Sequence, residues 1–409
     1  MNPETTLIDS KENADLVGIS LWSVFAACFL GHVFCGVIST LVSAYLPDIL
    51  GDFGQSLPQQ SQSAGSYINA LYILGWAFGG MATGYVSDRI GRIRTIGACL
   101  VWLGIWTLAL PSSVSWQFLA LFRLMAGLGT GGVMVVAMTF LSEVWPQKSR
   151  TTVIGLVSVG FPIGIFSSGI ITYLLPEWKA AMYFGLAPIV LAVFTMLSVA
   201  ESKQWLSSKS EIKNTEKPNP FSLPNLWAST IIFGSMVIGL WSAFSWIPTW
   251  AQSLITDSDG QRERGIIMML LGLFGILGGS FAGLVVKKIG VRSAIIMCFV
   301  GVLAISFALY GLVRQFTFWI YPLTAMLSFT FGISQGLLSS FVPQLFPFSV
   351  RAFATGISFN LGRIITAVAV FSIGSFVVFF GSYGNSLLVF SMVFIPGLIA
   401  SLKVSKQTV

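Results

Sequence analysis

Twelve apolar runs follow one another along this chain, and each is about as long as the 20 residues a helix needs to cross a bilayer. Their approximate spans are 19–47, 64–87, 93–111, 115–143, 151–175, 179–200, 225–254, 264–286, 291–312, 316–345, 351–379 and 382–403. None shows the sustained alternation of a membrane-barrel strand. Only 9% of the 409 residues are charged and 55% are hydrophobic, against about 25% charged in an average soluble domain. So few charges cannot cover a water-facing surface, which excludes a soluble enzyme, a nucleic-acid-binding domain and a disordered chain. The runs predict an all-α membrane protein.

Basic residues orient such a chain, because Lys and Arg concentrate in cytoplasmic loops. With the N-terminus inside, sixteen of the twenty-two fall on the inner side, among them Lys11, Arg89, Arg92, Lys148, Arg150, Lys203, Lys209, Lys213, Lys217, Arg351 and Lys406. Lys179, Arg262, Arg264 and Arg314 fall outside; Arg123 and Arg363 fall within spans. Both termini are therefore expected in the cytoplasm, across a cytoplasmic (inner) membrane. The net charge of +7 follows from topology and does not call for nucleic acid. Cys28, Cys35, Cys99 and Cys298 lie in apolar runs without metal-ligand spacing, and His32 is the one histidine. No cofactor and no metal site is expected.

The longest polar interruption, 201–224, contains Ser207-Ser208-Lys209-Ser210 and Lys217-Pro218-Asn219-Pro220. It reads as a linker between six-helix halves at 19–200 and 225–403, with tails at 1–18 and 404–409. The halves repeat. Leu46-Pro47 matches Ile247-Pro248, Glu143-x-x-Pro146-x-x-x-Arg150 matches Gln344-x-x-Pro347-x-x-x-Arg351, and Gly84 with Gly91 matches Gly283 with Gly290. Duplicated bundles are typical of secondary transporters, with substrate held between the halves near the midplane.

The loop after the second span reads Gly84-Tyr-Val-Ser-Asp88-Arg89-Ile-Gly91-Arg92. It resembles the G-x-x-x-D-R-x-G-R signature of the major facilitator superfamily. Arg123-x-x-x-Gly127-x-Gly129-x-Gly131 resembles that superfamily's Arg-plus-glycine motif in the fourth helix. Glu143-x-x-Pro146-x-x-x-Arg150, Glu201-Ser202-x-x-Trp205-Leu206 and Asn360-Leu-Gly362-Arg363 are similar to runs in sugar porters and bacterial metabolite:proton symporters. The resemblance implies two pseudo-symmetric bundles of six helices and alternating access. It implies a gating role for Gly84, Asp88, Arg89, Gly91, Arg92, Glu143 and Arg150. Physically, Gly84 permits close helix approach, Asp88 suits the positive end of a partner helix, and Arg89 and Arg92 can pair with carboxylates in one conformation only. The chain departs from the symporter pattern in its first span. Where many relatives carry two acids, this one has Cys35 and Ile38.

A charge inside the bilayer is a functional hypothesis by default. Arg123 lies about 12 Å from the outer end of its helix and Arg363 about 18 Å from the inner end of its own, at 1.5 Å per residue. No acid sits at that depth: Asp48, Glu177, Asp257, Asp259 and Glu263 fall at outer ends, and Asp88, Glu143 and Glu201 at inner ends. The two arginines then form a basic cavity that an anion would neutralise, because Arg holds carboxylate or phosphate through paired hydrogen bonds. The alternative is that carbonyls or water satisfy each Arg. His32 is a candidate substrate contact and proton-coupling group, or a hydrogen-bonded core residue. Asn360, Gln335, Trp241 and Tyr67 are further candidate contacts; Trp246 and Trp250 suit an outer aromatic belt.

These readings predict a transporter, not an enzyme, for a small organic anion of carboxylate type. Proton symport through His32, facilitation and exchange remain open. The competing readings are a carrier of sugars or drug-like neutral solutes, and a membrane sensor. The expected partners are the substrate and the lipid bilayer, with protons if transport is coupled, and the chain is expected to act as a monomer.

Overall fold

The computed structural model describes residues 20–54, 58–202, 205–206, 225–255, 259–346 and 351–404, and the side chains of these except 58–62, 151, 340 and 351–353. The tail at 1–18, most of the 201–224 linker, Asp257, Pro347 and residues 405–409 lie outside them.

Among the described residues twelve helices cross the molecule: α1 (Leu21–Ala44), α2 (Pro58–Ile90), α3 (Arg92–Leu108), α4 (Trp116–Val144), α5 (Gln147–Ser158 with Gly160–Leu174), α6 (Trp178–Ala181 with Leu186–Ser198), α7 (Leu226–Ser253), α8 (Gln261–Ile289), α9 (Val291–Ser306), α10 (Ile320–Phe341), α11 (Arg351–Phe380) and α12 (Tyr383–Phe390 with Phe394–Lys403). Ten are long and apolar enough to span a membrane by composition alone; α2 and α10 are the two that are not. The helices form two bundles, α1–α6 and α7–α12. The bundles meet where α5 packs on α8, α2 on α11 and α1 on α7.

The repeat is visible in backbone geometry. Gly91, between α2 and α3, has φ 107° and ψ 161°, and Gly290, between α8 and α9, has φ 79° and ψ 158°. Both turns use a left-handed φ that an L side chain resists. The matched prolines differ: α1 stops at Ala44 and a short helix, Leu46–Asp52, restarts with Pro47 in its first turn, whereas Pro248 sits inside a continuous α7.

Contacts between the bundles lie toward one membrane side. The Oδ2 of Asp48 accepts from Arg264 Nη2 at 2.8 Å, and Gln261 Nε2 donates to the carbonyls of Thr172 and Leu175 at 2.7 Å each. Beside them Gly169 and Gly265 bring the α5 and α8 backbones together without a side chain between. Toward the side of the termini the same helices part. A Cβ added at Gly84, Gly155, Gly283 or Gly356 would meet nothing within 4 Å. The cross-bundle hydrogen bonds and ion pair thus lie on the side opposite the described chain ends, and we read the space beside these glycines as a cleft between the bundles that faces the chain ends.

Candidate functional site

The floor of the cleft is aromatic. Trp76 of α2 lies edge-on to Trp241 of α7, with ring centroids 5.3 Å apart, and Phe161 of α5 lies 5.5 Å from Trp76. Trp241 also meets Phe244 at 5.9 Å. On the other wall Phe233 stacks on Phe359 at 4.2 Å. The guanidinium carbon of Arg363 sits 5.8 Å from the ring centres of both Trp76 and Phe233. Those rings belong to opposite bundles, so Arg363 stands at their seam. It is half-buried, and among the described residues it has no hydrogen-bond or ion-pair partner.

Arg123 is placed differently. It is fully buried, donates from Nη1 to Ile38 O at 2.8 Å and from Nη2 to Ser39 O at 3.0 Å, and rests 3.8 Å above the centre of the Tyr72 ring. Tyr72 Oη in turn lies 2.7 Å from both Ser39 Oγ and Thr130 Oγ1. Arg123 thus ties α4 to the α1 backbone and presents no donor to the cleft. Of the two arginines expected to face one ligand, Arg123 is engaged by the α1 carbonyls, and Arg363 alone stands at the seam without a hydrogen-bond partner among the described residues.

His32 is also withdrawn. It is fully buried against Gly160 of α5, its Nδ1 lies 2.8 Å from the Cys28 carbonyl, and Nε2 is enclosed without a partner among the described residues. Asn360 Nδ2 donates to Gly356 O, one turn back in its own helix, and so does not brace Arg363. Gln335 leaves a buried Nε2 unpaired. Tyr67 packs between Trp116 and Phe371 and is exposed on the bundle rim. Trp246 and Trp250 are buried rather than belted at an interface, Trp246 against Tyr383 and Trp250 against Tyr310.

The signature loop forms a latch within its own bundle. Arg92 donates from Nη1 to Asp88 Oδ1 at 2.6 Å and from Nη2 to Glu143 Oε1 at 2.8 Å. The carboxylate of Glu201 sits on the N-terminus of α3, accepting from the backbone N–H of Arg92 at 2.9 Å and of Ile93 at 3.1 Å. A carboxylate there satisfies orphan donors and meets the positive end of the helix dipole. Glu201 therefore plays, within the bundle, the helix-end part expected of Asp88, whose side chain is 68% exposed. Arg89 reaches only the Tyr85 hydroxyl, and Arg150 donates to Trp145 O. The close approach expected at Gly84 is absent in this state, since a Cβ there would meet nothing within 4 Å. Gly91 is closely held: a Cβ there would collide with Glu201 Oε2.

The ion pair on the sealed side escaped the sequence reading. Asp48 and Arg264 lie 216 positions apart, and only their places beside Pro47 and at the start of an apolar run mark them. Burial raises the Asp48 carboxyl above its usual range, although the Arg264 guanidinium beside it pulls the other way. Nearby, the Trp178 indole and Lys179 hold Asp52 below the usual carboxylate range.

Residues 28–370 match the model of the Major Facilitator Superfamily. The chain is 26% identical to the cis,cis-muconate transport protein of Acinetobacter baylyi over 97% of its length and 98% of that protein's. It is 26% identical to the gallate transporter of Pseudomonas putida, covering 93% and 88% respectively. The crystal structure of a D-xylose-proton symporter superposes with a TM-score of 0.73 at 16% identity, covering 94% of this chain and 98% of that one. With twelve helices in two bundles around one cleft, the chain belongs to the Major Facilitator Superfamily and is a multi-pass membrane transporter working by alternating access, not an enzyme.

Proposed function

We propose that the protein carries a small planar organic carboxylate across the cytoplasmic membrane, with Arg363 as its clamp and both termini in the cytoplasm. The carrying observation is Arg363 itself: an unpartnered guanidinium between the rings of Trp76 and Phe233. A carboxylate would take its paired donors, and a flat apolar body would lie against the aromatic floor. Trp241 belongs to that floor; Gln335 offers an unpaired amide. Named transporters of muconate and gallate among the relatives support an anionic cargo. The excess of Lys and Arg in the loops on the side of the termini supports the orientation.

Gating follows from the two ends. When the cleft closes on the cytoplasmic side, exposed Asp88 faces the start of α11, whose dipole would hold it. When it closes on the other side, Asp48 and Arg264 pair. Arg92, Glu143, Gly91 and Glu201 keep the loop in shape for that exchange, and Arg89 and Arg150 are left at its margin.

The test is uptake of labelled carboxylates into liposomes containing the purified protein, beside thermal unfolding with a metabolite panel, since a bound ligand raises apparent stability. Saturable carboxylate uptake abolished by Arg363→Ala is expected. Saturable uptake of neutral sugars only, unchanged by Arg363→Ala, would overturn the reading.

A further inference from the structure

The charges along the translocation path are few enough to be counted. Arg363 faces the cleft without a counter-ion. Arg123 donates to the Ile38 and Ser39 carbonyls and is enclosed in this state, with Nε unpaired among the described residues. His32, the chain's one histidine, is sealed between α1 and α5. The acids of the path lie at its two ends, Asp88 and Glu143 at one and Asp48 at the other. Cys35 and Ile38, in the same helix as His32, are uncharged and buried. No Asp or Glu of the sequence lies at the depth of Arg363, and the titratable imidazole of His32 is enclosed in this state.

We propose that the protein is an obligatory exchanger, moving one organic anion in for each one moved out. This rests on the reading of Arg363 as the substrate clamp. To change sides the carrier must close over its cleft and expel water. An empty carrier then strands a guanidinium in the bilayer interior with no counter-ion, the arrangement that is most costly for a buried charge. The faces of Trp76 and Phe233 recover only part of that loss. A bound carboxylate removes the penalty, because the charges cancel and the guanidinium donors are filled. The loaded carrier crosses and the empty one waits. A carboxylate at that depth would neutralise the arginine on the return step, and the sequence has none there.

The experiment uses the full chain in proteoliposomes at neutral pH, with labelled 4-hydroxybenzoate as the probe. Vesicles preloaded with unlabelled probe should take up label at least ~100-fold faster than vesicles without internal anion, as expected when about 3 kcal/mol separates two barriers. An acid-outside gradient should not drive accumulation in vesicles without internal anion. Equal rates with and without internal probe, or accumulation driven by the gradient, would overturn exchange and leave the anion reading standing. Failure of the probe and of every other carboxylate tested to bind or move would refute the substrate reading and exchange with it.

A second readout needs no transport. Spin labels at Ser112 and Gln315, exposed on the sealed side in opposite bundles, report which side is open. Without anion the native protein should give one distance, and Arg363→Gln should give two. Arg363→Lys keeps the charge and should remain locked. Two distances in the native protein without anion would overturn the proposal.

Discussion

Arg123 and Arg363 carry the same charge at similar depth, and their removal has different expected costs. Arg123→Ala loses two hydrogen bonds to α1 and leaves a hole under Tyr72. The expected destabilisation is about 2–5 kcal/mol, read as a lowered thermal midpoint without ligand. Arg363→Ala loses no hydrogen bond and only the two ring contacts at 5.8 Å, so its ligand-free stability should stay within about 1 kcal/mol of the parent, while stabilisation by carboxylates disappears. A midpoint equally low in both variants would contradict this assignment. Both arginines stood out in the sequence because charge is rare within apolar runs. Their separate fates did not, because they depend on which carbonyls a neighbouring helix offers. The same holds for His32: its depth was legible, but its enclosure depends on Gly160, a residue more than a hundred positions away that lets α5 close over it.

At the scale of the element, the turn between α2 and α3 combines a glycine of φ 107° with a carboxylate capping the next helix. Gly91→Ala would force a methyl group onto Glu201 in a backbone region that costs an L residue about 1–3 kcal/mol. Loss of folded protein or a lowered midpoint is expected, rescued in part by shortening the acid with Glu201→Asp. Asp88→Asn leaves the turn intact and touches only the docking of the loop. It should slow transport more than it weakens binding; an equal loss of both would contradict a conformational role. The twelve helices were legible from their apolar lengths, and the gating loop from its spacing. The Glu201 cap was not, since the 109 positions between it and Arg92 carry no local signal. Nor did the sequence separate Pro47 from Pro248, because whether proline ends a helix or sits within one depends on the packing around it.

At the scale of the whole molecule, the seal between the bundles rests, among the described residues, on one ion pair and a run of close contacts. Asp48→Asn leaves Arg264 buried without its acid. The expected cost is about 1–3 kcal/mol, less than for a fully enclosed pair because Asp48 keeps some contact with water. That would shift the balance toward opening on that side by roughly 10- to 100-fold, seen as a longer distance between labels at Ser112 and Gln315. Asp48→Asn combined with Arg264→Gln should recover most of the shift, since no charge is then left buried. The duplicated halves were visible in the spacing of glycines and prolines. The choice of the sealed side was not, because alternating access lets one sequence populate both.

Gly169 and Gly265 give that seal a mechanical character. Two backbones in direct contact, with no side chain to compress, form a hard bearing. The bundles can roll about it but cannot slide closer, so a small rotation there becomes a wide displacement at the far ends of α5 and α8. A bulky residue at either position acts as a wedge under a lever, and it would disturb the travel of the whole molecule without touching the cargo.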